Sequence, residues 1–103
     1  MNIRLVIQNK KTGNVKSVTT KRFRKAMNKL PEEVQQRAKR AYKLWKQNNS
    51  HPGLHFKQVH EKQPIYSVRI GLSYRAIGVK QENSMIWFWI GSHEDYNKLV
   101  AEL

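Results

Sequence analysis

The apolar residues of this chain change their spacing once, near the middle, dividing it into a helical part and a strand part. From Lys21 to Leu30 the positions Phe23, Ala26, Met27 and Leu30 fall at i, i+3, i+4 and i+7, one stripe of an α-helix. Thr20 stands where a hydroxyl caps such a helix. Pro31 suits the first position of a second helix, Glu32 and Glu33 suit the positive end of its dipole, and Val34, Ala38, Ala41 and Trp45 mark its stripe. The chain therefore turns at Leu30-Pro31. Upstream, residues 3–8 and 15–20 are β-prone runs around Asn9-Lys10-Lys11-Thr12-Gly13-Asn14, which predicts either a hairpin or a strand preceded by a loose arm.

Asn48-Asn49-Ser50-His51-Pro52-Gly53 breaks the helical pattern, and short runs of period two follow. They predict strands at 54–59, 65–71, 74–80 and 85–91. The joining segments, Glu61-Lys62-Gln63-Pro64, Leu72-Ser73 and Gln81-Glu82-Asn83, are of hairpin length, so neighbouring strands run antiparallel. Met85-Ile86-Trp87-Phe88-Trp89-Ile90 is apolar on both phases and belongs inside the sheet, whereas the mostly polar run from Leu54 to Val59 suits an edge. Ser92-His93-Glu94-Asp95 reads as a capping box, after which Tyr96, Leu99, Val100 and Leu103 form a last helical stripe. No repeat or linker interrupts the series. The expected architecture is one α+β domain: two N-terminal helices on a small, mainly antiparallel twisted sheet, with a short C-terminal helix, over residues 15–103. Residues 1–14 form an N-terminal arm or an extra strand.

Composition agrees with one domain, since 103 residues that are 39% hydrophobic supply one core. The absence of cysteine excludes disulfides, thiolate metal sites and a cysteine nucleophile. Leu5 to Ile7 is too brief an apolar stretch for a signal peptide or a membrane span, so the expected location is cytoplasmic. Charge changes the picture most. The net charge is +13, and residues 1–50 hold 14 Lys and Arg against 2 acids, while 51–103 hold 6 against 5. A surface this positive favours polyanions such as nucleic acid or the ribosome. Lys21, Arg22, Arg24, Lys25, Arg37, Lys39, Arg40, Lys43 and Lys46 lie off the apolar stripes, where an antiparallel helix pair would merge them into one phosphate-contacting surface.

In the strand half, Tyr66, Val68 and Ile70 share one face, which sends Arg69 to the other beside Ser67. Lys57 alternates against Leu54 and Phe56, and Arg75 begins the strand after the next tight turn, so three cations converge on one sheet face or else stand separately in solvent. His93 and Tyr96 are three apart at a strand-to-helix junction and would overhang that region as an acid–base pair. Tyr96 is also in phase with Leu99, Val100 and Leu103, as a core tyrosine would be. His51, His55 and His60 match no common zinc spacing and read as loop or edge histidines. Phosphate-binding glycine loops, paired catalytic carboxylates and serine-nucleophile elbows are missing, so no cofactor or metal is implied.

Particular stretches go further. Thr20-Lys21-Arg22-Phe23, Leu30-Pro31-Glu32-Glu33-Val34, His55-Phe56-Lys57, Tyr66-Ser67-Val68-Arg69-Ile70-Gly71, Tyr74-Arg75-Ala76 and Trp87-Phe88-Trp89-Ile90-Gly91-Ser92-His93 resemble the RelE-like branch of the RelE/ParE toxin superfamily, from about Val15 onward. The resemblance implies the toxin of a type II toxin–antitoxin system: a ribosome-dependent endoribonuclease that cuts mRNA without a metal and is neutralised by a cognate antitoxin. It implies that Lys57, Arg69 and Arg75 bind the scissile phosphate and that His93 and Tyr96 serve proton transfer or substrate positioning. Arg22, Lys25, Arg37, Lys39, Arg40, Lys43 and Lys46 would contact RNA. ParE-type members share the fold but poison DNA gyrase, and a third reading is a non-catalytic ribosome- or RNA-binding module.

Overall fold

The computed structural model describes residues 16–103. The expected arm or extra strand over 1–14, including the run at 3–8, lies outside the described residues. The elements run in the order β1 (Lys16–Thr19), α1 (Lys21–Asn28), α2 (Glu32–Gln47), β2 (Lys57–Gln58), β3 (Ile65–Ile70), β4 (Tyr74–Gln81), β5 (Ser84–Ser92) and α3 (His93–Ala101).

Both N-terminal helices form for the reasons their sequence gives. The Thr20 hydroxyl accepts from the Phe23 amide at 3.1 Å and satisfies one orphan donor of α1. Pro31 stands at the cap of α2 rather than in its first turn, its carbonyl taking the amides of Val34 and Gln35 at 3.0 Å each. Val34, Ala38 and Trp45 are buried along the inner stripe of α2, and Phe23, Ala26 and Met27 of α1 pack on the same core with Leu30 of the following turn.

The strands make one sheet in the order β1-β5-β4-β3-β2. The hairpins β2-β3-β4-β5 are antiparallel, and β1 joins β5 in parallel after the chain has crossed over through α1 and α2. The apolar β5 lies inside the sheet and β2 at its edge, as the two hydrophobic patterns require. One expected strand is cut short. Over 54–59 only Lys57–Gln58 pairs, because Pro52–Leu54 forms a 3-10 turn that carries Leu54 into the core at 2% exposure and leaves His55 left-handed at φ 45°.

The core lies between the helix pair and the sheet, with Val68, Ile70, Ala76, Met85, Trp87 and Ile90 as its floor. Trp87 and Ile90 are three apart and both face the helices, which strict alternation forbids. A bulge between Ile77 and Gly78 resolves this: Ile77 pairs with Trp89 and Gly78 with Trp87, leaving Phe88 as the extra residue. The opposite face carries Ser67, Arg69, Arg75 and Ile77, and α3 covers part of it. Ser92 caps α3 by accepting from the Asp95 amide at 3.1 Å.

Candidate active site and its setting

On the α3 side of the sheet, Arg69 and Arg75 stand directly opposite each other in the β3–β4 ladder. Such a like-charge pair opposes strand pairing. Their side chains meet backbone carbonyls, a hydroxyl and a ring nitrogen rather than carboxylates. Arg69 Nε donates to the Gly71 carbonyl at 2.9 Å, and its Nη1 meets His55 Nε2 at 3.1 Å. Arg75 Nη2 donates to the His55 carbonyl at 3.2 Å and to Ser67 Oγ at 3.1 Å.

Arg75 is only 5% exposed, so it does not stand separately in solvent. The α3 residue Tyr96 explains this. Its ring lies 4.9 Å from the guanidinium carbon, and its hydroxyl donates to Ser67 Oγ at 3.2 Å. Burial pulls the Arg75 pKa below the ordinary arginine value; Tyr96 works against that shift, and neighbouring Arg69 adds to it. Arg75 Nε is buried without a hydrogen-bond partner among the described residues. Arg37 and Glu33, one turn apart on α2, make the only ion pair among the described residues, so no carboxylate neutralises the two strand arginines.

A cavity of about 210 Å³ opens at this spot, lined by His55, Arg69, Leu72, Tyr74, Arg75 and His93. The His93 amide donates to the Ser73 carbonyl at 2.7 Å, which anchors the start of α3 to the β3–β4 turn. Its exposed ring stacks on Tyr96 at 5.8 Å between centroids, and neither ring nitrogen has a hydrogen-bond partner among the described residues. The arrangement offers an anion a buried guanidinium, a second guanidinium and an exposed imidazole.

Of the residues singled out in the sequence, Arg69, Arg75 and His93 thus come together. Lys57 pairs with Ser67 on the same sheet face, one position along from Arg69, and does not line the cavity. Tyr96 lies behind Arg75 rather than in the opening. His55, read from sequence as an edge histidine, is a cavity residue; no periodicity marks it, because its placement depends on the left-handed turn. His51 Nδ1 instead accepts from the Gly53 amide, and His60 Nδ1 from the amides of Lys62 and Gln63, so both serve local turns.

The nine helix cations are all exposed. A larger groove of about 600 Å³ separates α1 from α2 and reaches the sheet, its walls including Phe23, Met27, Ala41, Tyr42 and Trp87. Lys39 and Arg24 stand on this groove, whereas Lys21, Arg22, Lys25 and Lys29 gather on another face of α1. Lys46 lies 5.4 Å from the centre of the Tyr42 ring. Arg37 packs against Gly71, so α2 adjoins the hairpin that carries the arginines. Among the described residues no helix is long and apolar enough to cross a membrane.

This fold recurs in solved toxins. The chain superposes on the RelB–RelE antitoxin–toxin complex from Methanococcus jannaschii with a TM-score of 0.65 at 18% identity, over 80% of this chain and 96% of that one. The archaeal RelE–RelB complex from Pyrococcus horikoshii OT3 gives 0.63 at 14% identity, over 77% and 94%. A copper-bound mutant toxin from Helicobacter pylori gives 0.56 at 18% identity, over 79% and 97%. No curated protein matches the sequence. A family model described as the ParE-like toxin domain matches residues 32–98, from the start of α2 through the arginine pair to α3. With most of its length matched and the RelE architecture around that stretch, the chain belongs to the ParE-like toxin domain family of the RelE/ParE superfamily.

Proposed function

We propose that this protein is the toxin of a toxin–antitoxin pair and acts as an mRNA endoribonuclease on the ribosome. One observation carries the reading: two arginines in direct opposition, one of them buried with an unpaired Nε and neither met by a carboxylate, share a cavity with a free imidazole. A folded chain has little reason to bury one guanidinium beside another unless an anion completes the site. A phosphodiester matches the geometry and charge of two guanidinium groups.

In this reading His93 takes the proton of a ribose 2′-hydroxyl, whose oxygen attacks the adjacent phosphorus. Arg75 and Arg69 hold the non-bridging oxygens as charge builds on them, the departing 5′-oxygen takes a proton from water as the P–O5′ bond breaks, and His93 returns its proton to solvent afterwards. Lys57, one position along, follows the backbone of the next nucleotide. Tyr96 acts by fixing Arg75. Requiring the 2′-hydroxyl selects RNA over DNA. Arg37, Lys39, Arg40, Lys43, Lys46, Arg22 and Lys25 supply the phosphate contacts that dock the protein on ribosomal RNA.

Purified protein added to programmed ribosomes is expected to cut the message and leave 2′,3′-cyclic phosphate or 3′-phosphate ends. Intact message would reject the nuclease. The ParE-like family match favours a second reading, a poison of DNA gyrase, which a supercoiling assay separates. Either toxin needs an antitoxin. The apolar groove between α1 and α2, with Arg24 and Lys39 on it, suits an acidic amphipathic segment of that partner.

A further inference from the structure

The arginine pair raises a physical problem that charge alone does not solve. Two guanidinium groups on facing strand positions repel each other, and holding them together with a carboxylate would cancel the field an anionic substrate needs. The structure meets both demands through one residue. His55 offers its carbonyl to Arg75 Nη2 at 3.2 Å and its ring Nε2 to Arg69 Nη1 at 3.1 Å. The carbonyl carries no charge, and the ring nitrogen can accept only in the tautomer that leaves Nε2 without a proton.

That double contact follows from the local backbone. His51 Nδ1 takes the Gly53 amide, Pro52 opens the 3-10 turn, and Leu54 is locked into the core. The next residue then adopts φ 45° and ψ 44°, a conformation uncommon for a side chain other than glycine, asparagine, aspartate or histidine. This turn aims the carbonyl at one arginine and the ring at the other. A guanidinium has donors only, so the Arg69 contact is a hydrogen bond only when His55 Nε2 carries no proton. His55 therefore spends that lone pair on Arg69, while the His93 ring remains open for proton transfer.

Resting on the ribonuclease reading, we propose that His55 is the positioning residue of the site: a neutral clamp that presets both arginines for a phosphodiester without quenching their charge. Replacement His55→Gly keeps the carbonyl and relaxes the left-handed backbone but removes the ring acceptor. His55→Gln restores an acceptor of similar reach. His55→Asp restores an acceptor but adds a negative charge.

The Gly variant is expected to melt no lower than the parent, yet to cleave message on ribosomes about tenfold to a hundredfold more slowly, the range for losing a hydrogen bond to a charged group. The loss falls on kcat rather than KM. The Gln variant recovers much of the rate, and the Asp variant is slowest, with the weakest binding of inorganic phosphate. In ¹⁵N NMR of the unmodified protein, the neutral His55 ring carries its proton on Nδ1. Full cleavage by the Gly variant, or a neutral ring protonated on Nε2, overturns the clamp. Should the unmodified protein fail to cut RNA at all, the nuclease reading falls alone, because phosphate titration and ring tautomer still decide the role of His55.

Discussion

Arg75 concentrates the cost and the purpose of the site in one side chain. Burial lowers its pKa, so its charged form opposes folding at every pH below that lowered value, and the cost is relieved only as pH rises through it. At neutral pH the penalty is fully present. Arg75→Met removes the charge at similar volume, and Ser67 Oγ keeps the Tyr96 hydroxyl as its partner. The variant is expected to stay within about 1.5 kcal/mol of the parent in stability. Its cleavage rate is expected to fall about a hundredfold or more, as when one group that stabilises transition-state charge is lost. Thermal unfolding beside single-turnover cleavage checks both halves, and a strongly destabilised but active variant would contradict the assignment. Alternation along β3 and the tight turn before β4 offered two readings of Arg69 and Arg75, gathered on one face or separate in solvent, and the ladder pairs them directly. They did not reveal that Tyr96 would cover Arg75, since that contact joins residues far apart in sequence. Nor did they mark His55, whose place rests on one positive φ.

Among the elements, β5 shows how a strand departs from period two to serve two layers. The bulge turns both Trp87 and Ile90 toward the helices, and Gly78 makes room opposite it. A Cβ on residue 78 would lie 2.8 Å from Trp87 Cε3 and 3.1 Å from the Ile86 carbonyl oxygen. Gly78→Ala is thus expected to destabilise the fold by about 1–3 kcal/mol, the range for overpacking, measured by denaturant unfolding. The α3 cap makes a complementary case. Ser92→Ala removes the bond to the Asp95 amide and is expected to cost about 1 kcal/mol. Because α3 carries both His93 and Tyr96, activity should fall further than stability accounts for, which a comparison at a temperature well below the melting point will show. Helix positions, hairpins and the interior place of β5 were all legible from apolar spacing and turn residues. The bulge was not, because Met85 to Ile90 is apolar throughout and hides any change of phase. The shortening of the expected 54–59 strand has a similar cause: alternation continued through Leu54, but the Pro52-Gly53 turn took that residue into the core.

Across the whole molecule the charge is divided as unevenly as the architecture. The strand half is nearly neutral and holds the candidate site, while the helical half carries almost all the excess positive charge. An apolar groove runs between the two helices, with Arg24 and Lys39 on it and Lys21, Arg22, Lys25 and Lys29 on another face of α1. Docking is therefore assigned to separate patches, with α2 nearest the arginine hairpin through Arg37 and Gly71. Reversing Arg40 and Lys43 to glutamate should weaken ribosome binding and flatten its dependence on salt by about one unit of slope for each phosphate no longer neutralised. An unchanged slope would remove that patch from the interface. The proposed reaction turns on one oxygen atom, the 2′-hydroxyl of a nucleotide that would be held between the arginines and His93. Messages carrying a single 2′-deoxyribose at the mapped cleavage position, presented on programmed ribosomes, isolate that atom. The deoxy message is expected to survive while its all-ribose twin is cut to a cyclic phosphate; cleavage of both at the same position would contradict attack by the 2′-oxygen.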